Sequence, residues 1–389
     1  MREPTGDNVT LTDEDVRTAA VERLRAFLPV HANGWRVDTD MVLNVMLEAA
    51  VTGRTIEAVC ADLDAVADAN TIRGVINEHI QADGLADLER GMNEAVAAEI
   101  PRKVRFRARE IACDLHDQPF YGKTPGLLAF ASRGEARDGT TYFYRVATAY
   151  VMLGGLRVTL AVVFVRPGDA LVDILAGLLQ RVRQLGVRIK RLWLDKGFAS
   201  TAIYRYLETI GTPAVIACPI RGKTGGTRGL CKGRRSYATH HTFHSQQYGA
   251  YTAQVVVART FTTGPRQRRR ARWLVFVQIN GALPPHQVRR LYRRRFGIES
   301  SYRCMRYVRL RTTSRNPALR FVYMALGFVL VNIWITLRFA YCQIPRRGGR
   351  LIDEEGFRLD RLASFIHHAV EHRYGVTHEI QATALPIGL

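Results

Sequence analysis

From Thr209 to Ile352 the chain carries 27 Lys and Arg and a single acidic residue, Glu299. A stretch of that composition has almost no ion-pair partners of its own. Any fold it adopts must leave its cations facing solvent or a polyanion. So basic a surface also has no structural need of one carboxylate. Glu299 stands in the densest part of it, Tyr292-Arg-Arg-Arg-Phe-Gly-Ile-Glu299-Ser-Ser-Tyr-Arg-Cys-Met-Arg306. Read as a helix, this segment sets Tyr292, Arg295, Tyr302, Arg303 and Arg306 at −7, −4, +3, +4 and +7 from Glu299, all on one face. One anion is then ringed by cations and tyrosine hydroxyls. A salt-bridged helix is the plainer alternative, but exposed pairs contribute well under ~1 kcal/mol and do not account for the composition. A metal ligand flanked by phosphate clamps does.

The charge is unevenly spread. Residues 1–100 hold 8 basic and 19 acidic residues, and the rest hold 48 and 16, so a net of −11 is followed by one of +32. A strongly basic portion of this size points first to nucleic acid and second to an anionic membrane surface. The one long apolar run, Phe321 to Leu337, is at the short end of what a spanning helix needs and contains Asn332. It reads as a buried core helix, so no membrane partner is expected. With 389 residues, 47% of them hydrophobic, the chain can bury a large core in two or three structural units. Its six cysteines lack paired spacing, which suits free thiols in a reducing cytoplasm. The first residues hold no apolar stretch of the secretory kind. The expected location is the cytoplasm, beside the nucleoid.

Residues 1–100 read as a helical N-terminal domain. Thr12 is placed to cap a first helix that Pro29 stops, and a second follows near Thr39–Val51. Thr55–Leu63 and Asn70–Ile80 have the spacing of a helix-turn-helix that would bind DNA ends, or of two helices in an ordinary bundle. After Pro101 the texture changes. Arg105–Leu115, Thr141–Met152 and Arg157–Val165 read as strands, the last two as a hairpin about Gly154-Gly155. A helix over Asp169–Leu185, a strand over Val187–Leu194, a helix over Ser200–Thr209 and a strand over Pro213–Cys218 complete an α/β core. Residues 219–280 read as a β-rich insertion, and helices follow at roughly 285–308, 316–342 and 358–373. The organisation expected is 1–100, a catalytic domain over 101–345, and a C-terminal helical tail over 346–389.

Asp114 closes the first strand of this reading and Asp195 the fourth, and carboxylates at strand ends are held rigidly at the rim of a sheet. Taken singly, each reads as well as a turn or cap aspartate. Grouped with Glu299 they form a candidate metal site. Close carboxylates repel one another unless a cation lies between them, and hard oxygen donors with open positions suit Mg²⁺, with Mn²⁺ able to replace it. Such ions serve in-line displacement at phosphorus, with Arg295, Arg303 and Arg306 facing the phosphate oxygens. Asp117 competes with Asp114 for the first position, and His116 reads as a support behind the ligands or, in preference, as structural. Cys218, Cys231, His240, His241 and His244 lack the paired spacing of a zinc site, and Gly222–Gly229 lacks the full phosphate-loop pattern.

The run Tyr292-(2)-Arg295-(3)-Glu299-(6)-Arg306 resembles the Tyr-(2)-Arg-(3)-Glu-(6)-Lys motif of bacterial and archaeal DDE insertion-sequence transposases. Arg replaces Lys at the last position, which keeps the charge and changes the geometry. Asp114-Leu-His-Asp-Gln-Pro-Phe-Tyr-Gly and Leu194-Asp195-Lys-Gly-Phe are similar to the blocks around that family's two aspartates. Thr313-Ser-Arg315-Asn-Pro317 and Pro345-Arg-Arg-Gly-Gly-Arg350 are similar to one branch of it. The resemblance implies an α/β, ribonuclease H-like mixed sheet whose first and fourth strands are neighbours, with a β-strand insertion before the helix that brings in the glutamate. It implies Asp114, Asp195 and Glu299 as catalytic metal ligands, and Tyr292, Arg295, Tyr302, Arg303, Arg306 and Arg315 as DNA or phosphate contacts. It further implies cut-and-paste cleavage at terminal inverted repeats and strand transfer into target DNA. A homodimer is expected because two ends must be joined. A hairpin on the transposon end is among the intermediates that branch allows.

Overall fold

A computed structural model describes residues 10–101, 104–153, 156–222, 225–263, 269–296, 307–347, 349–353 and 355–379. The chain divides into two compact units, one of residues 96–302 and one of residues 1–95 with 303–389.

The unit of residues 96–302 is built on a mixed sheet. Its strands are β1 (Ala108–Phe120), β2 (Ser132–Arg137), β3 (Thr140–Leu153), β4 (Leu156–Val165), β5 (Arg188–Leu194), β6 (Ala214–Cys218), β7 (Tyr237–Ser245), β8 (Gly249–Thr263) and β9 (Arg269–Ile279). Among the described residues they form one sheet in the order β2-β3-β1-β5-β6-β9-β8-β7, with β4 also on β3. The expected hairpin is present, since β3 and β4 pair antiparallel from Arg145↔Val165 to Leu153↔Leu156. β1 is antiparallel to β3 and parallel to β5, so the first strand and the 188–194 strand are neighbours. Strands β7, β8 and β9, expected as an insertion, prolong this same sheet through antiparallel pairing of β9 with β6. The short strand β2 has no counterpart in the sequence reading. Its Ser-Arg-Gly-Glu-Ala-Arg run has too little apolar alternation to announce a strand.

Helices α7 (Leu171–Gln184) and α8 (Thr201–Thr209) pack on one face of the sheet, where the buried stripe Ile174, Leu175, Leu178, Leu179 and Val182 of α7 meets β3, β4 and β5. Tyr204 of α8 meets the rings of Phe243 and Tyr251 on that face. Helix α9 (Pro285–Phe296) covers the other face, on a cluster of Ala112, Tyr150, Trp193, Val215, Val256, Ala258 and Phe276 closed by Val288 and Tyr292. The short helix α6 (Pro125–Leu128) lies in the connection from β1 to β2 and buries none of its residues.

The second unit is helical. It contains α1 (Asp13–Phe27), α2 (Thr39–Thr52), α3 (Ile56–Asp62), α4 (Ala69–His79), most of α5 (Leu85–Ala98), α10 (Pro317–Tyr341) and α11 (Leu359–Tyr374), with a β10–β11 hairpin (Gln343–Arg346, Gly349–Ile352). Thr12 caps α1 in a reciprocal box with Asp15, as its position predicts. Helices α3 and α4 fall on the helix-turn-helix segment, capped by Thr55 and Asp68. Asn316 caps α10 through Oδ1, which accepts from Ala318 and Leu319, and Pro317 takes the first turn. The Arg315-Asn-Pro block is thus a helix start, with Arg315 itself exposed. Helix α10 is the one described helix long and apolar enough to cross a membrane, and 94% of its apolar window is buried inside the protein.

The sequence pattern predicts a separate C-terminal helical tail over 346–389. Instead α11 packs against α1 and α2, and the segment beyond it is stitched to the α3–α4 turn by Ala65 N–H to the Tyr374 carbonyl at 2.8 Å and Thr377 N–H to the Asp62 carbonyl at 2.8 Å. The helix belongs to this helical unit because its buried face, Leu362, Ile366, Ala369 and Val370, finds the apolar faces of α1 and α2 there. Polar groups ride in the same seam. Arg17 is bonded to Glu14 and to Asn44 Oδ1 at 3.0 Å, and His367 Nδ1 lies 2.7 Å from Glu48 Oε1.

Burial raises the Glu48 carboxyl above the usual carboxylate range, with the His367 imidazole opposing the shift. A carboxyl whose folded pKa lies above its unfolded value contributes stability that is complete below the unfolded value and lost as pH rises through the folded one. The Glu48→Gln variant is expected to lose that decline. Urea midpoints measured from about pH 4, the ordinary carboxylate range, up to neutrality should fall less than in the parent chain; an identical slope would contradict the assignment.

Candidate active site

The site is set by where two strands stop agreeing. β1 and β5 run parallel with Ala112 opposite Trp193 and Cys113 opposite Leu194, and there the pairing ends. One residue further on each strand are Asp114 and Asp195. Adjacent strands lie about 4.8 Å apart, so the register makes these two carboxylates neighbours. Asp195 keeps an extended conformation (φ −72°, ψ 164°) before a 3₁₀ turn over Lys196–Phe198. Both aspartates are half-buried.

The strand reading is corrected for Asp114. β1 does not end there; it continues to Phe120 on β3 alone, and Asp114 lies in its middle, opposite Thr148. Side chains alternate along a strand, so Asp114 shares its face with Ala112, and Asp195 shares its face with Trp193. Ala112 and Trp193 belong to the cluster beneath α9. The two carboxylates therefore point to the side of the sheet that α9 covers. Asp117, three positions on, points to the other side. It is bonded to Arg145 Nε at 2.7 Å and to Arg137 at 2.7 Å.

Tyr292 fastens α9 to this place. The sequence reading gives it a phosphate contact, but the structure leaves it 2% exposed, with its hydroxyl donating to the Leu194 carbonyl at 3.2 Å. Its ring lies 4.7 Å from Phe276 and 6.2 Å from Trp193. The reason is the apolar stripe Val288, Leu291 and Tyr292, which turns this side of α9 inward. Tyr292 thus holds the helix against the residue that precedes Asp195. Glu299, Tyr302, Arg303 and Arg306 lie outside the described residues, as does the Arg295 side chain.

Two further residues of this face carry no signal in the motif. Arg157, 3% exposed at the start of β4, donates to Thr148 Oγ1 at 2.7 Å and stacks over the Tyr150 ring at 4.0 Å. Thr148 is the cross-strand partner of Asp114, so a buried guanidinium stands on the same side of the sheet as the carboxylate. A lone Arg inside Leu156-Arg-Val-Thr-Leu-Ala-Val-Val was the available clue. Gly197 is the second. A Cβ there would meet Leu115 Cδ1 at 2.9 Å, so glycine lets the turn after Asp195 approach β1.

The donor set fits a hard divalent cation: adjacent carboxylates on neighbouring strands, both half-buried. Among the described residues no group of three or more His, Cys, Asp or Glu is assembled for a metal.

Residues 111–333 match the family described as the transposase DDE domain. Eight solved chains match the fold. One of them, piggyBac transposase in a cryo-EM structure of its synaptic complex with hairpin DNA, is similar with a TM-score of 0.55 over 93% of this chain and 77% of its own, at 10% sequence identity. No curated protein matches the sequence. The fold is the mixed α/β, ribonuclease H-like one, with helices before and after the sheet.

Tyr292→Phe keeps the ring and removes the bond to Leu194, which is expected to cost about 1 kcal/mol. Tyr292→Ala also opens a cavity between Phe276 and Trp193 and is expected to cost about 3–5 kcal/mol. Chemical denaturation checks both; equal losses would show that the hydroxyl, not the ring, carries the contact.

Proposed function

The chain belongs to the transposase DDE domain family, and we propose that it is a cut-and-paste enzyme that cleaves double-stranded DNA at the terminal inverted repeats of its element and transfers the ends to target DNA. The observation that carries this reading is the β1–β5 register, which makes Asp114 and Asp195 neighbours on the face that α9 covers. In this reading Asp114, Asp195 and Glu299 are the ligands, and Mg²⁺ is the ion, with Mn²⁺ a substitute.

Two reasons favour Glu299 as the third carboxylate. It is seven residues beyond Tyr292, whose hydroxyl is anchored beside Asp195. A helical continuation would set it about 10 Å along the axis from Tyr292, and even a fully extended chain keeps it within about 25 Å. It is also the only acid of Thr209–Ile352. Asp117, on the opposite face and already met by two arginines, is disfavoured as a ligand.

When bound, a divalent ion supplies positive charge against the scissile phosphate and acidifies the attacking hydroxyl. The chain's own residues do the rest. Asp114 and Asp195 are held at fixed separation by the sheet. Arg295, Arg303, Arg306 and Tyr302 meet the phosphate oxygens, and Arg315 contacts the DNA backbone further along. Tyr292 acts through Leu194 as a positioning residue. Helices α3 and α4 recognise the element's ends in this reading, and a homodimer holds two of them in the cytoplasm. The second reading is a DNA-binding descendant without chemistry, and the presence of Asp114, Asp195 and Glu299 together speaks against it.

Asp114→Asn, Asp195→Asn and Glu299→Gln are each expected to abolish Mg²⁺-dependent cleavage of a DNA carrying the element's ends while DNA binding persists. Outer-sphere changes at metal sites cost about 10–100-fold, and loss of a ligand should exceed that. A variant that cuts at the parent rate removes its residue from the site; a parent chain that binds and never cuts favours the second reading.

DNA affinity should also fall steeply with salt, with log K losing about 0.9 per phosphate contact per decade. A flat response measured by filter binding or anisotropy would remove the DNA-groove reading of Thr209–Ile352.

A further inference from the structure

Between Arg235 and Arg259 run 23 consecutive residues, Ser236–Ala258, with no Asp, Glu, Lys, Arg or Pro. They interrupt the part of the chain where 27 cations are spread from Thr209 to Ile352. The run is β7, its turn and the first part of β8, and β7 is the last strand of the sheet. No residue of β7 is buried; half-buried and exposed positions alternate from Tyr237 to Ser245. Its outward side chains on one face are Ala238, His240, Thr242 and His244. Among the described residues no strand pairs with its other side.

An open edge of this kind invites another strand, and proteins ordinarily guard against it with charge, proline or brevity. β2, near the opposite end of the same sheet, shows the guard, with Arg133, Glu135 and Arg137 exposed on six residues. β7 is nine residues long and has none of these devices.

We propose that β7 is the seam through which two copies of this chain join edge to edge and antiparallel, continuing one sheet into the next. Charge selects the occupant. A polyanion finds no cation on Ser236–Ala258 to hold it. Two copies of a chain of net charge +21 repel over most of their basic surface, and a neutral edge is where they approach at least cost. Charge also selects the direction. Lys232, Arg234 and Arg235 are exposed just before β7. A parallel seam would set these clusters of the two copies side by side. An antiparallel one sets each against the neutral turn of Gln246, Gln247 and Tyr248 and separates them by about 30 Å, the length of nine extended residues. That exceeds a Debye length of about 8 Å at physiological salt. The backbone of each β7 supplies the hydrogen bonds, as in other strand additions. This seam does not depend on the catalytic reading, since a chain that cuts nothing would form it equally.

The test is sedimentation equilibrium of the full chain without DNA, at micromolar concentration and moderate salt. The parent chain is expected at the mass of two copies. Thr242→Lys, an exposed change, brings like charges together across the seam and should weaken the dimer about tenfold or more. Thr252→Lys places the same charge on the same face one strand inward, about a strand spacing further from the seam, and should leave the dimer intact. Amide exchange along Tyr237–Ser245 should be slow in the parent and Thr252→Lys chains and fast in Thr242→Lys. A monomeric parent chain overturns the proposal, as does a dimer that Thr242→Lys leaves unchanged or that both variants weaken alike.

Discussion

The parallel register of β1 and β5 is the constraint on which the rest of the site depends. Because Cys113 pairs with Leu194 and the pairing stops there, the next residues on both strands are carboxylates with no further ladder between them. A slip of one residue would send one of them to the opposite face. The register is protected by what surrounds it. Ala112, Trp193 and Tyr150 form one buried row across the strands, and Leu192, Trp193 and Leu194 pair in turn with β6. Helix α9 closes over that row and is pinned by Tyr292 to the carbonyl just before Asp195. The backbone that fixes the second aspartate is thus the backbone that orients the helix leading to Glu299.

The sheet also sorts its acids by face. Asp117 is on the same strand as Asp114, yet its charge is met by Arg137 and Arg145 on the far side. On the near side Arg157 reaches Thr148 and the Tyr150 ring. A guanidinium that is 3% exposed is costly to bury unless its setting compensates it. Here the setting is the Thr148 hydroxyl and the face of the Tyr150 ring, on the strand opposite Asp114.

Much of this was legible in the sequence. The apolar strand 188–194 ends where its periodicity ends, and Asp195 follows it directly. The continuation of β1 was not legible, because the apolar run stops at Leu115 and Pro119 follows four residues later. It remains a strand since β5 has already stopped and Pro119 needs to satisfy only the β3 side, the condition under which a strand tolerates proline. Tyr292 departs from its expected place for a related reason. Counting from Glu299 put it on the face with Arg295, while the Val288-Leu291-Tyr292 spacing, equally visible, marks the inward side of α9. Periodicity names the faces of an element but not the neighbour each face meets. That limit also explains 358–373, a helix recognised by its pattern and assigned to a tail, whose apolar face is in fact buried on α1 and α2.

The neutral run Ser236–Ala258 bears on the basic stretch around it. Had the cations of Thr209–Ile352 served only to keep the protein soluble, the exposed edge of the sheet would have been the first place to carry them, because an unguarded edge is the commoner hazard. They are absent there and dense on either side. A distribution that concentrates charge at Arg221–Arg235 and Arg289–Arg306 while clearing it from β7 is one in which the cations have a polyanion to meet and the edge has a strand to meet. The two surfaces then have opposite requirements, and a single sheet satisfies both by ending on a hairpin without charge.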